Sequence, residues 1–235
     1  MKSHSIDDTA IIVSSAGTIS VENVMMVRVA ASGGANFLAN NSADKGGNPG
    51  WTFTSPTGQN HYWVGGPGNW SDTSHWSYSS GGPGGACVPT PFDNVYFDNN
   101  SFNATEDTVT IDCFNAFSKN MDWSNATLNP VLNGKKNKRL RIFGNLTLKD
   151  SSAMNFDYDG ETFFSSKNQG NTIYSGKNEF NNDVIFEGVY GEWSLSDTLF
   201  IDANVSFLVG HLNLNGKGLI TGKFISTHSR TKSLD

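Results

Sequence analysis

Long apolar runs are missing from this chain of 235 residues. None approaches the roughly 20 residues that a membrane-spanning helix needs. Helical patterning is missing too: no window carries an apolar stripe at i, i+3, i+4 and i+7 long enough for a helix. Charge is scarce at 16%, and apolar residues reach only 37%. Both fall below the roughly 25% and 45–50% of an ordinary globular protein. The formal net charge is −6, which argues against general nucleic-acid binding, since that wants a basic face to neutralise phosphates. The only basic run is Lys135, Lys136, Lys138, Arg139 and Arg141, beside Asn133-Gly134. Asn-Gly is a turn signal, so this run is expected to be a solvated turn.

Cysteine is nearly absent. Cys87 and Cys113 are the two, with no C-x-x-C pair, and the five histidines are scattered, which argues against a zinc site. The two thiols either close a disulfide in an oxidising compartment or stay as two small buried apolar side chains. The N-terminus, MKSHSIDDTAIIVSS, puts two aspartates ahead of a very short apolar stretch, and that is not a secretory signal. Read literally, this places the chain in the cytosol. The reading favoured here is a piece of a longer protein, because STHSRTKSLD stops as an alternating pattern resumes.

What the chain does have is Asn, Ser, Thr, Gly and aromatics, with sixteen phenylalanines. From Leu140 onward, runs of three to five residues such as LRIF, TFF, TIY, VIF and WSL alternate with Asn- and Gly-rich breaks. Apolar side chains fall at alternate positions, the period of a strand with one buried face. Such strands are too short for a sandwich and suit a solenoid, whose coils bury their apolar faces by stacking. The fold expected is all-β: right-handed parallel β-helix coils of roughly 20–25 residues, with a Trp/Gly-rich β insert between two solenoid stretches. Three parts follow: 1–45 as the end of a preceding solenoid segment, 46–125 as the join, and 126–235 as coils truncated at the C-terminus. Asparagine at the breaks is expected to tolerate left-handed backbone and to hydrogen-bond along the stack.

The ordered string GNPGWTFTSP, YWVGGPGNWSDTSHWS, SSGGPGGACVPTPFDNVYFDNNSF and VTID…MDW resembles a repeated module of very large secreted surface proteins. Those proteins belong to gliding bacteria of the Bacteroidetes group. NTIYSGKNEFNNDVIFEGVYGEWSLSDTLFI and LNLNGKGLITGKFIS resemble that family's solenoid coils. The resemblance implies an extracellular, adhesin-like segment exported by the type IX system. It implies no known enzyme activity and carries over no catalytic residue.

Several residues are candidates for chemistry. Trp63, Trp70 and Trp76 lie close together in HYWVGGPGNWSDTSHW. Together with Trp51, they either bury large rings at a coil end or line a surface on which sugars stack. His75 follows Asp72 closely enough for a carboxylate-oriented base, though it reads more simply as a turn residue. Asp93, Asp98, Asp107 and Asp112 bracket two strands. Calcium wants several converging oxygens, with Asp93 and Asp98 the best candidates; the alternative is that these carboxylates cap turns. Asp157, Asp159 and Glu161 alternate in NFDYDGETFF, which puts them on one strand face, as a solvated face or as the acids of a glycan-degrading enzyme.

The function expected is a non-catalytic structural or adhesive segment of an extracellular cell-surface protein. Its partners would be surface glycans or neighbouring modules of the same chain, with no nucleic acid, no membrane span and no cofactor other than calcium. The first alternative is a carbohydrate-binding module using the three tryptophans. The second is a β-helix polysaccharide-degrading enzyme.

Overall fold

The structure, a computed structural model, describes residues 9–22, 24–54, 56–226 and 231–235. Stacked parallel strands build β-solenoid coils, about 10 turns in all among the described residues. No α-helix occurs among the described residues. The strands are mostly two to five residues long, and their burial alternates, as in Thr108–Ile111, Asn115–Ser118 and Arg139–Ile142. That alternation is the physical basis of the period-two pattern in the sequence.

Two compact units divide the chain, residues 1–57 and 58–235. This differs from the three parts expected at 1–45, 46–125 and 126–235. In the first unit, Ala10 pairs with Val29, Thr18 with Asn36, and Met25 with Ala43. Those partners lie 18 or 19 residues apart. The core is small: Met26, Val29, Phe37, Ala39 and Trp51. Trp51 packs edge-on against Phe37 at 5.4 Å, so it belongs to this unit and not to the tryptophan cluster that follows.

Among the described residues the second unit has three sheets. The first runs from Trp76–Ser77 through Asn60–Trp63, Asn94–Tyr96 and Met121–Asp122 to Lys232–Leu234; the second from Gly68–Asn69 to Asn155–Tyr158; the third from Asn115–Ser118 to Leu219–Ile225. Successive coils are in parallel register: Val95 with Met121, Met121 with Leu146, Leu146 with Ile173, Ile173 with Leu195. The steps are 26, 25, 27 and 22 residues. The first coil is longer, with His61 opposite Val95 and Gly68 opposite Val109. The Trp/Gly-rich stretch is therefore an enlargement of this coil. Its strand Trp76–Ser77 pairs antiparallel with Asn60–Trp63 at the sheet's edge.

Inward columns make the core. Ser118, Ile142, Phe164, Phe186 and Phe207 stand one above another in the third sheet. Phe164 and Phe186 stack at 5.1 Å. Trp63, Phe97 and Trp123 form a second aromatic column, with Phe97 and Trp123 centred 3.5 Å apart. The asparagines do bond along the stack: the Asn94 side-chain N–H₂ donates to Asn60 Oδ1 (2.9 Å), and that of Asn120 donates to Asn94 Oδ1 (2.7 Å). The ladder continues through backbone donors, Asn145 N to Asn120 Oδ1 and Thr172 N to Asn145 Oδ1. Such ladders repeat only when coils stay in register.

One expected turn is corrected. Asn133-Gly134 ends the strand Val131–Gly134, and the turn follows at Lys135–Lys138. Gly134 lies between Ile111 and Tyr158 in an inward column. A Cβ there would sit 2.6 Å from the Tyr158 ring. The glycine makes room for that ring and does not supply a left-handed turn. Arg139 and Arg141 then face outward, bonded to Glu161 (2.9 Å) and Glu187 (2.6 Å), so the basic run is not wholly a free solvated turn.

Candidate functional site

His61 and Trp63 alternate inward on their strand with Asn60 and Tyr62 outward. Beyond Trp63 the chain turns through Gly65 and Gly66, both in left-handed conformation, and reaches a short 3-10 turn at Thr73–His75. This returns Trp76 to pair with Trp63. Trp63, Trp70 and Trp76 are each 0% exposed. Trp63 meets Trp76 edge-on at 5.1 Å, and Trp70 meets Trp76 at 4.8 Å. Trp63 Nε1 donates to the Gly66 carbonyl and Trp76 Nε1 to the Trp70 carbonyl. A ring with no accessible face cannot stack on a sugar, so the glycan-binding assignment to these three residues is corrected. They are core.

His75 lies flat on Trp63, 4.8 Å away and 7° from parallel, with Nδ1 2.8 Å from the Val64 carbonyl oxygen. Asp72 caps the 3-10 turn, its Oδ1 accepting from Ser74 N–H at 2.9 Å. That hydrogen bond holds its carboxyl below the usual range. The carboxylate is thus engaged at the turn and does not orient the imidazole.

The four bracketing aspartates also cap. Asp93 Oδ1 accepts from Gln59 N–H (2.8 Å), and its Oδ2 accepts from the Thr90 N–H (2.7 Å) and hydroxyl (2.6 Å). Asp98 Oδ1 accepts from Asn100 N–H at 2.9 Å. Asp107 takes Asn103 and Ala104 N–H groups, and Asp112 takes Ser71. Among the described residues, no three His, Cys, Asp or Glu side chains converge on a common point. Asp93 and Asp98 are therefore corrected from calcium ligands to turn caps, a role that backbone donors complete without a cation.

Cys87 is exposed, Cys113 is half-buried, and both are free thiols, so the disulfide reading is corrected. Cys113 donates to the Asn115 carbonyl at 3.2 Å, and burial pushes its thiol pKa up. The carboxylates of NFDYDGETFF do not share a face. The chain bends at Asp159-Gly160, leaving Asp157 on the second sheet beside Asn133 and Glu161 on the third beside Arg139. Two of the scattered histidines, His4 and His228, lie outside the described residues.

His61 is buried at 3% exposure, and neither ring nitrogen has a hydrogen-bond partner among the described residues. Burial lowers its pKa from 6.5; the Asp93 charge pulls the other way, as do backbone groups of Gln59 and Cys87 that lie near without bonding geometry. The folded state resists protonation and the unfolded state does not, so this contribution is complete above about pH 6.5 and is lost as pH falls toward the folded value. His61→Phe should show a smaller loss of urea midpoint between pH 7.5 and 5.5 than wild type. An equal loss in both would show that His61 does not carry this dependence.

The opening of chemical interest that the structure brings together lies elsewhere. A groove of about 640 Å³ runs beside the first sheet, across the turns that precede strands in four successive coils. Gln169, Tyr190, Glu192, His211, Lys232 and Ser233 line it. Glu192, His211 and Ser233 are register partners in one outward column. His211 Nε2 and Asp235 Oδ2 are 2.6 Å apart, and the Ser233 hydroxyl donates to the same carboxylate oxygen at 3.2 Å. Tyr190 is 81% exposed and holds φ of 66°. The sequence pattern contained no signal for this column. Its members lie about 20 residues apart, and only coil register makes them neighbours.

No family model, no curated protein and no solved structure matches this chain.

Proposed function

We propose that the chain is a non-catalytic structural and adhesive segment of a large extracellular cell-surface protein. One observation supports this best: the residues with chemical potential in the Trp/Gly-rich stretch join the coils. The tryptophans fill the core, the aspartates hold turns, and Asn60, Asn94 and Asn120 bond coil to coil. Within the second unit a stack of paired coils transmits load along its axis, because successive coils are tied by backbone ladders as well as by packing. The extracellular part of the reading rests on the resemblance to secreted surface modules of gliding bacteria. Antibody raised against the whole chain should label intact, unpermeabilised source cells. Labelling only after permeabilisation would sink the proposal.

A further inference from the structure

We infer that the lateral groove at Tyr190 is a binding site for a neutral oligosaccharide. This rests on the adhesive reading and gives it a site and a ligand class.

Tyr190 carries the argument. A bulky residue at positive φ is an outlier that glycine would relieve. Buried aromatics accept such backbone when packing holds them there, but Tyr190 is 81% exposed. No ring or cation packs on it among the described residues. The backbone here is a turn closed by Gly191 N–H donating to the Gly188 carbonyl at 3.0 Å, but burial does not account for a tyrosine at its tip. Positive φ recurs elsewhere, at Leu128 and Lys177 among others; what sets Tyr190 apart is a large ring left exposed beside a groove, and that points to a ligand.

The turn that carries Tyr190 is packed tightly against its neighbours. A Cβ at Gly188 would lie 1.6 Å from the Ser166 carbonyl oxygen, and one at Gly191 would lie 2.2 Å from it. Both would also press on Trp193, at 2.7 Å. The turn thus sits directly on the coil below and projects Val189 and Tyr190 outward. Four coils spaced about 4.8 Å apart give a track of about 14 Å along the axis. That is an elongated trough suited to a chain lying parallel to the stack.

Polar groups along the trough fit hydroxyls. The Gln169 amide and the Glu192 carboxylate have no partner among the described residues, so donors and acceptors are both on offer. Charge is mixed: Glu192 and Asp235 are acidic, Lys232 is basic, and His211 is paired with Asp235. A uronate or phosphate chain would want a cationic track, and a basic peptide an acidic one. A ring that stacks, with dispersed donors and acceptors, suits an uncharged sugar chain.

The test uses the full chain against arrayed neutral and acidic glycans, followed by calorimetric titration with soluble neutral hexasaccharides. Wild type should bind at least one neutral hexasaccharide. Tyr190→Ala should weaken that binding at least tenfold with an unchanged melting midpoint. Tyr190→Phe should retain binding, since the ring and not the hydroxyl stacks. Tyr190→Gly should lose binding while melting at or above the wild-type midpoint, because glycine relieves the positive φ. Binding restricted to acidic glycans, binding unaffected by Tyr190→Ala, or no binding at millimolar sugar would each overturn the site. Surface labelling of intact cells is independent of these outcomes. If cells label and no sugar binds, the groove proposal falls alone.

Discussion

Trp63→Ala should destabilise the second unit by about 3–5 kcal/mol, the cost of deleting a fully buried large aromatic side chain. Urea unfolding followed by tryptophan fluorescence would measure it. Trp63 touches Trp76, Phe97 and the His75 ring, and its Nε1 closes the turn at Gly66. Deleting it removes packing on three sides and a turn hydrogen bond together. Trp63→Phe should recover part of the loss, because the aromatic volume stays and the N–H does not. Domains are stable by only about 5–15 kcal/mol, so Trp63→Ala should stand close to unfolding at room temperature. A loss under about 1 kcal/mol would mean that the ring cluster is not a packed core.

Asp93→Ala should cost about 2–4 kcal/mol, since hydrogen bonds to a charged acceptor carry more than neutral ones and their donors would be left unpaired. Asp93 ties Gln59, ahead of the strand Asn60–Trp63, to Thr90, ahead of the strand Asn94–Tyr96. It thereby pins both ends of the enlarged first coil. Asp93→Asn should fall between wild type and Ala, because one oxygen remains an acceptor while the new N–H₂ opposes a backbone donor. Thermal melting of wild type in calcium and in chelator should give one midpoint. A midpoint that drops in chelator would return Asp93 to the role of a cation ligand.

The two roles of the Trp/Gly stretch were distinguishable only in three dimensions. Its sequence has the residues of a sugar platform and of a core at once, since the same indole serves both. What separates them is the antiparallel return of Trp76 onto Trp63. That return depends on the left-handed glycines at 65 and 66 and on the Asp72-capped turn. Gly134 is a second case. Next to asparagine it reads as a turn, yet the space it leaves is filled by Tyr158 from the following coil, 24 residues along. Local turn chemistry carries no information about a neighbour that arrives a full coil later. The carboxylates of NFDYDGETFF went astray for a related reason: the bend at Asp159-Gly160 moves Glu161 to another sheet, and strand periodicity counts through a corner it cannot see.

Alternation, short runs and asparagine-rich breaks determined the class of fold, because a strand with one buried face imposes period two on its own sequence. They also came near the coil length, roughly 20–25 residues against observed steps such as 22 at Ile173–Leu195 and 26 at Val95–Met121. Register was decided only in the tertiary structure. It stacks Trp63 over Phe97 and Trp123, strings Asn60, Asn94 and Asn120 into a ladder, and sets Glu192, His211 and Ser233 in one column beside Tyr190. Coil lengths in this chain vary, and a one-residue change would turn each side chain to the opposite face. Which residues meet is therefore a property of the whole stack.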